Sequence, residues 1–378
     1  MEKRKMEKLG IETSLLGFGC MRFPVTAEGR IDEPLAERMM DRAIASGVNY
    51  IDTAYPYHGG ESETFVGKVL KKYPRDSFYL ATKLPCWKVE KLEDIDSIFR
   101  EQLGKLQTDY IDFYLVHALN KDRFKKITEM GGIKRLEELK AEGKIKYLGF
   151  SFHDDYDTFE KILCYRDWDF CQIQLNYMDV NEQAGLRGYG LTEEKNVPLV
   201  VMEPVKGGTL AQVPEEAEKL FKDYDADMSV PSWAIRFAAS LEHVMVVLSG
   251  MSNIGQMEDN IGYMEKFRPL TEEEMSLCYK VADIINGQIA IPCTGCSYCT
   301  GGCPKKIAIP QYFSLYNEDM REHLEEKGWT VNFSNYAALT EKFGRAKDCI
   351  GCGQCERVCP QHLPIIENLK EVSTHFDH

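Results

Sequence analysis

No apolar run in the 378-residue sequence approaches the roughly 20 residues that a membrane-spanning helix needs, which excludes a helical membrane protein. A secretory leader is not expected either, because the charged stretch Met1 to Lys8 passes straight into Leu9 and Gly10 with no apolar segment behind it. Basic residues are in short supply. Lys and Arg number 46 against 60 Asp and Glu, and the resulting formal charge of −14 repels nucleic-acid phosphates and anionic headgroups alike. Neither nucleic acid nor membrane is expected as a partner, and the expected location is cytoplasmic. There is no GxGxxG. The nearest stretch, Gly17-Phe18-Gly19, lacks the third glycine and an acidic residue about twenty positions on, so a Rossmann site has little support. Low-complexity tracts are absent too, and 44% hydrophobic with 28% charged residues marks a folded chain rather than a disordered one.

What is present is an alternation. Up to about residue 250, eight short apolar, β-branched or aromatic runs are separated by amphipathic segments. The runs are Leu15–Phe18, Val48–Thr53, Phe78–Lys83, Ile111–His117, Ile145–Ser151, Phe170–Leu175, Pro198–Glu203 and Val244–Ser249. Helix-like stretches between them include Leu35–Ser46, Glu63–Lys72, Ile95–Leu106, Ile133–Glu142 and Ser232–Ser240. Eight such units predict an α/β fold, a closed (β/α)8 TIM barrel. Asp52, Lys83, His117, Ser151 and Glu203 each end an apolar run and Gln172 interrupts one, so a barrel would gather them at the face formed by the carboxyl ends of its strands. Past Asn260 the alternation stops, and a charged helical segment, Thr271–Ile285, leads through Gly287 into a cysteine-rich region. The expected division is a barrel over residues 1–270 and a linker helix with a second domain over 271–378.

Thirteen cysteines are many for a compartment in which disulfides rarely persist. Cys20, Cys86, Cys164, Cys171 and Cys278 are scattered, and buried, inert thiols are the ordinary reading of them. The remaining eight form two runs of identical spacing, Cys293-x2-Cys296-x2-Cys299-x3-Cys303-Pro304 and Cys349-x2-Cys352-x2-Cys355-x3-Cys359-Pro360. Structural zinc closes a tetrahedron with two C-x2-C pairs, whereas a run of four ending in proline is the spacing of two-cluster iron-sulfur proteins, in which the fourth thiolate serves the other cluster. That spacing assigns Cys293, Cys296, Cys299 and Cys359 to one [4Fe-4S] cluster and Cys349, Cys352, Cys355 and Cys303 to a second. The region resembles a bacterial-type ferredoxin domain over residues 290–310 and 346–362, so the second domain is expected to be mainly α-helical and ferredoxin-like. The segment between, which includes Trp329 and Tyr336, is longer than a bare two-cluster ferredoxin carries and is expected to cover the clusters, dock the barrel, or both.

The stretch Asp52-Thr53-Ala54-Tyr55-Pro56-Tyr57-His58-Gly59-Gly60-Glu61-Ser62-Glu63, with Ala81-Thr82-Lys83 and Tyr114-Leu115-Val116-His117 in the expected order after it, resembles the aldo-keto reductase family over residues 8–262. The resemblance implies a catalytic tetrad of Asp52, Tyr57, Lys83 and His117. Such chemistry needs these types: reduction of a carbonyl leaves negative charge on oxygen, so a positioned acid must deliver a proton. Tyr57 would be that acid, its phenol lowered by the Lys83 ammonium, with Asp52 holding the lysine and His117 donating a hydrogen bond to the substrate oxygen. The resemblance also implies a nicotinamide cofactor, NADP or NAD. Ser151 and Gln172 would hold its carboxamide, Glu203 and Gly207 mark the loop near its pyrophosphate, and Gly250, Ser252, Gln256 and Asn260 mark the adenine end. Gly19 and Cys20, in the first loop, complete the implied lining, although for Cys20 a packed thiol is an equal alternative. Two departures stand out: Phe152 and His153 replace an asparagine the family commonly has, and Met251, Ser252 and Asn253 stand where a lysine or arginine often clamps a 2′-phosphate.

The function expected from these parts is an NAD(P)-dependent oxidoreductase interconverting a small-molecule carbonyl and alcohol, with two [4Fe-4S] clusters exchanging electrons with a soluble carrier such as a ferredoxin or flavodoxin. Nicotinamide moves two electrons and a cluster one, so a flavin or another splitter stays open. Two alternatives remain: an electron-transfer protein whose barrel is a docking scaffold, and a reductase whose clusters are structural.

Overall fold

A computed structural model of the chain describes residues 1–287, 289–322 and 330–377. It divides into two compact units, one of Met1–Val205 with Asp227–Cys278 and the other of Lys206–Ala226 with Tyr279–His378. No helix among the described residues is long and apolar enough to cross a membrane.

In the first unit two short strands, β1 (Lys3–Met6) and β2 (Ile11–Ser14), pair antiparallel. Eight parallel strands follow: β3 (Leu16–Gly19), β4 (Tyr50–Asp52), β5 (Tyr79–Leu84), β6 (Ile111–Leu119), β7 (Ile145–Phe152), β8 (Phe170–Gln174), β9 (Leu199–Met202) and β10 (Val244–Gly250). They close into a barrel in chain order, β10 pairing β3. All eight expected runs are barrel strands, and β6 is buried along its whole length, as a strand covered on both faces must be.

The barrel interior is filled by Tyr50, Phe113, Phe170, Val200, Val246 and Leu248, with Met6, Leu9 and Ile11 of the hairpin packed against them. The hairpin covers the amino ends of the strands. Tyr147, near the start of β7, donates to the Leu9 carbonyl at 3.1 Å, and the Arg4 guanidinium donates to the carbonyls of Leu241 at 2.6 Å, Val244 at 2.5 Å and Ala239. The carboxyl ends are left to carry chemistry.

Helices follow from caps and apolar spacing. In α1 (Glu33–Ala45) the Asp32 carboxylate caps the Leu35 amide at 3.2 Å, a proline sits in the first turn, and Ala36, Met39, Met40 and Ala43 form the buried stripe. Two further helices, α2 (Ser62–Leu70) and α3 (Leu92–Leu106), approach closely at Gly67, where a β-carbon would lie 2.4 Å from the Lys105 carbonyl oxygen.

The second unit is helical, with Glu215–Tyr224, Ile309–Glu322, Val331–Thr340 and Ile365–Phe376 as its longer helices. Its core gathers Ile291, Tyr312, Phe313, Tyr336, Leu369 and Phe376. Tyr336 stacks on Phe376 with ring centroids 4.9 Å apart and donates to Asp377 at 3.0 Å, so this residue builds the core of the unit. Trp329 lies outside the described residues. Asp319 binds His375 at 2.5 Å and accepts from Thr330, tying the helix Ile309–Glu322 to the helix Ile365–Phe376. Gly207, at φ +67°, seats against Thr294, whose carbonyl oxygen would be 1.9 Å from a β-carbon there.

Of the scattered cysteines, Cys20, Cys86, Cys171 and Cys278 are buried, and burial pushes their thiols up. Cys164 is exposed, because it follows directly on the helix Tyr156–Leu163 at its solvent end.

The helix contact at Gly67 is directly testable. Gly67→Ala forces backbone atoms apart and is expected to lower stability by about 1–3 kcal/mol, whereas Gly262→Ala, in a helix with open space at its Cα, should raise it by about 0.5–1 kcal/mol. Thermal midpoints followed by circular dichroism decide between them, and equal midpoints for the two variants would contradict the packing described.

Candidate active site and cysteine cavities

Asp52 closes β4, Lys83 lies near the end of β5 and His117 near the end of β6, so three neighbouring strands deliver three side chains to one spot. Tyr57 comes from the turn after β4, whose geometry depends on His58 at φ 51° and Gly59 at φ 63°. The His58 ring accepts the Phe23 amide at 3.2 Å and so pins this turn to the loop after β3. Lys83 Nζ donates to Asp52 Oδ1 at 2.6 Å, to the Thr53 carbonyl at 2.9 Å and to the Tyr57 hydroxyl at 3.4 Å. Lys83 is fully buried and Asp52 is 2% exposed. The Tyr57 ring meets the His117 ring edge-on at 6.3 Å, and the Trp87 ring lies 5.2 Å from His117 as a partly exposed aromatic wall. Arg123, stacked 5.3 Å from Trp87, is fixed by a 2.7 Å bond to the Ala118 carbonyl.

A layer of polar side chains stands behind the lysine. Gln102 donates to the Lys83 carbonyl at 3.0 Å and to Glu63 at 2.6 Å, Thr82 donates to the same Glu63 oxygen at 2.7 Å, and Tyr114 donates to Gln102 at 2.6 Å. All four are buried, and burial raises the Glu63 carboxyl above its ordinary range.

The electrostatics depart from the sequence expectation at Tyr57. Burial pushes its phenol well above the ordinary value, the charges of Asp52, Cys20 and Glu203 push further, and the Arg22 guanidinium is what opposes them. Lys83 is paired with Asp52 at 2.6 Å. Burial pushes the His117 imidazole well below its ordinary value, with Lys83, Arg123 and His153 adding to the shift, so it is neutral at pH 7. Its Nδ1 is buried without a hydrogen-bond partner.

The remaining candidate residues are spread around this centre. Ser151 is buried and its hydroxyl accepts the Ala118 amide at 2.8 Å. Gln172 is buried and donates to the Met202 sulfur, while its Oε1 has no hydrogen-bond partner. Gly19 lies against Ser249 and Gly250 with little room for a β-carbon, and Arg22 packs on Gly250. Cys20 is a buried thiol whose pKa is raised by burial and then by Asp52. Glu203 holds φ 54° and its carbonyl accepts Asn176 at 3.3 Å. At the start of the helix Ile254–Glu265, the Ser252 amide donates to Gln256 at 2.7 Å, and Asn260 donates to Ser249 at 2.8 Å. Gly207 belongs to the second unit. Arg22, His58, Trp87 and Gln102 are not singled out by any spacing; the tryptophan beside Cys86 and the arginine two residues past Cys20 were the available signals.

In the second unit Cys293, Cys296, Cys299 and Cys359 line a cavity of about 310 Å³ with Ile309, Phe313 and Leu363. Cys303, Cys349, Cys352 and Cys355 line another of about 340 Å³ with Ile307, Ile309 and Leu369. Among the described residues no three His, Cys, Asp or Glu side chains converge closely enough for a single metal ion. Four thiols spread around an apolar cavity suit a polyatomic cluster instead. Burial and then the neighbouring thiols Cys296, Cys293 and Cys359 push the Cys299 thiol up, and burial pushes that of Cys355 up to about 11. Backbone amides already point at sulfur, Gly295 to Cys293 at 3.5 Å and Ile307 to Cys303 at 3.4 Å.

Residues 15–283 match the model of the aldo/keto reductase family, and residues 292–363 match that of a 4Fe-4S dicluster domain. The chain is 28% identical over 306 residues to the uncharacterized oxidoreductase YqkF of Bacillus subtilis (strain 168), a match covering 73% of this chain and 94% of that one. It is 26% identical over 298 residues to the NADH-specific methylglyoxal reductase of Escherichia coli (strain K12), covering 68% and 89%. Among solved structures it is similar to the holo form of aldo-keto reductase AKR11C1 from Bacillus halodurans, at 30% identity and a TM-score of 0.63, covering 74% of this chain and 96% of that one. With its barrel matched over that length, the chain is an oxidoreductase that belongs to the aldo/keto reductase family and carries a C-terminal 4Fe-4S domain.

Proposed function

We propose that the protein is an NAD(P)-dependent oxidoreductase that interconverts a small-molecule carbonyl and the corresponding alcohol, with two [4Fe-4S] clusters relaying electrons to or from a soluble carrier. The observation that carries this reading is the buried line from Asp52 through Lys83 to the Tyr57 hydroxyl, with His117 facing it. When bound, NADP or NAD supplies or accepts a hydride and the clusters supply or accept single electrons.

The residues fit those groups. The unpartnered Gln172 Oε1 can accept from a carboxamide, with Ser151 beside it on the neighbouring strand, and Gly19 and Gly250 bring backbone close together at the ends of β3 and β10. Ser252, Gln256 and Asn260 shape the adenosine end through the bonds they already make. No lysine or arginine stands among Met251, Ser252 and Asn253, and the Escherichia coli relative is named for NADH; both support NAD over NADP. The two four-cysteine cavities support two clusters.

Tyr57 delivers its phenolic proton to the carbonyl oxygen as negative charge grows there. Neutral His117 donates a hydrogen bond to the same oxygen and orients it against the Trp87 wall. Lys83 holds the phenol in place, and Asp52 keeps the lysine aimed.

The test is an anaerobic preparation in which iron, sulfide, flavin and nucleotide are counted, NADH or NADPH is added, and cluster reduction is followed by EPR. Cluster reduction by a pyridine nucleotide is expected, with flavin present if exchange is direct; full clusters left oxidised by both nucleotides, with substrate and without, would remove the relay.

Tyr57→Phe is expected to lower carbonyl reduction by about 10²–10⁴-fold with iron and sulfide content unchanged. Wild-type turnover in this variant would take the proton-donor role away from Tyr57. The raised phenol also sets a pH dependence. An acid acts while protonated, so reduction is expected to stay level through neutral pH and beyond 9, falling only above the raised Tyr57 value, whereas alcohol oxidation, which needs the phenolate, climbs with pH over the same range. Reduction that falls between pH 6 and 8 would show another group to be the acid.

A further inference from the structure

The two cysteine cavities differ at their rims. Cys352, on the larger one, is exposed, whereas none of the four cysteines on the other is. Two large apolar side chains stand in solvent along the same stretch, Ile350 at 61% exposure and Val358 at 37%. Exposed cations lie close to them along the chain and around the cavity. Lys305 lines the cavity itself, Lys306 follows it, Lys347 lies two residues before Cys349, and Arg357 lies two residues after Cys355 beside Gly353.

Arg345, nearby, is paired with Asp377 at 3.7 Å, but Lys305, Lys306, Lys347 and Arg357 form no ion pair among the described residues. The acids of the stretch are engaged by the backbone: Asp348, itself exposed, accepts the Arg345 amide and Glu356, half-buried, accepts the Ile366 amide, each at 2.9 Å. On a chain of net charge −14, this edge carries more cations than anions, Lys305, Lys306, Lys347 and Arg357 against Asp348 and Glu356, around an exposed sulfur and two exposed aliphatic groups. Unpaired cations cost nothing in solvent and are effective at range, since they accelerate encounter with an oppositely charged protein and are screened within about 10 Å at 0.1 M salt.

Resting on the electron-relay reading above, we propose that the edge formed by Ile350, Cys352 and Val358 with Lys306, Lys347 and Arg357 is the docking surface for a small acidic one-electron carrier protein. The carrier's carboxylates meet the three cations, and its apolar centre meets Ile350 and Val358. Each encounter moves one electron, lost by the carrier as the cluster held by Cys303, Cys349, Cys352 and Cys355 gains it, or the reverse, with no bond made or broken. Such an interface is small and transient, which suits a shuttling carrier.

The experiment uses the full-length, cluster-loaded protein and a purified acidic flavodoxin as the probe, with binding measured by titration calorimetry. The wild type is expected to bind at low ionic strength and to weaken by about tenfold or more between about 0.02 and 0.2 M salt. Lys306→Glu/Lys347→Glu/Arg357→Glu should weaken binding at low salt by about tenfold or more, with iron, sulfide and nicotinamide-dependent carbonyl reduction unchanged, while Lys306→Arg/Lys347→Arg/Arg357→Lys binds as wild type. A charge-reversed variant that binds as tightly as wild type overturns the docking surface and leaves the relay reading standing. A wild type that never loads iron and sulfide sinks the relay reading, and the docking surface with it. A wild type that sediments as a salt-sensitive dimer, with the variant a monomer, assigns the edge to a second copy of this chain and overturns the carrier.

Discussion

The barrel pocket depends on one buried charge pair. An ammonium and a carboxylate at 0% and 2% exposure are each costly to desolvate, by several kcal/mol, and only their mutual attraction with full hydrogen bonding offsets that. Lys83 meets the condition, since its three protons go to Asp52, the Thr53 carbonyl and the Tyr57 hydroxyl. The third bond links stability to chemistry, because the lysine's own hydrogen-bond requirement holds the phenol in place. Gln102 then fixes the lysine from its backbone side through the Lys83 carbonyl, and the Glu63, Thr82 and Tyr114 bonds hold Gln102 in turn. A side chain tethered at both ends keeps its geometry without substrate.

The cysteine half is organised by backbone handedness rather than by charge. Three left-handed residues recur at matching places in the two motifs: Gly295 and Gly351, Ser297 and Gly353, Lys306 and His362. Each pair lies at the same distance from its motif's first or fourth cysteine, so the duplicated spacing is a duplicated chain path. Where the second motif uses glycine, the first accepts Ser297 at φ 64°, a conformation that costs a side-chain-bearing residue about 1 kcal/mol. A loop that turns this sharply can present several sulfurs to one cavity, and the crosswise sharing of Cys303 and Cys359 ties the two loops together.

How much of this was legible follows from which forces are local. The eight strands announce themselves because a strand covered on both faces must be apolar throughout, and β6 is the extreme case. The hairpin β1–β2 does not, since Lys-Arg-Lys-Met has too few apolar positions to show a period, and it is stabilised from a distance by carbonyls at residues 239–244 receiving Arg4. The helix Gly185–Glu194 is hidden by its three glycines, and Lys121–Glu129 by its charges. Within the pocket, Asp52, Lys83 and His117 could be named because each ends a strand. Arg22, His58 and Trp87 could not, because their roles come from loop contacts that no spacing encodes.

The same distinction explains the one place where reasoning from residue types failed in sign. An ammonium beside a phenol suggests a lowered phenol, but that inference treats the pair in isolation. At Tyr57 burial comes first, and the charges of Asp52 and Glu203 add to it. The outcome is a pocket in which Tyr57 keeps its proton, Cys20 keeps its proton and His117 lacks a second one, so the reacting oxygen faces neutral donors. In the proposed reaction a negative charge growing on that oxygen meets preorganised donors, while Lys83 holds the Asp52 carboxylate and Glu203 stays near enough to act on Tyr57. On the proposed mechanism the Tyr57 proton is on hand for reduction at neutral pH, and the reverse reaction must first remove it.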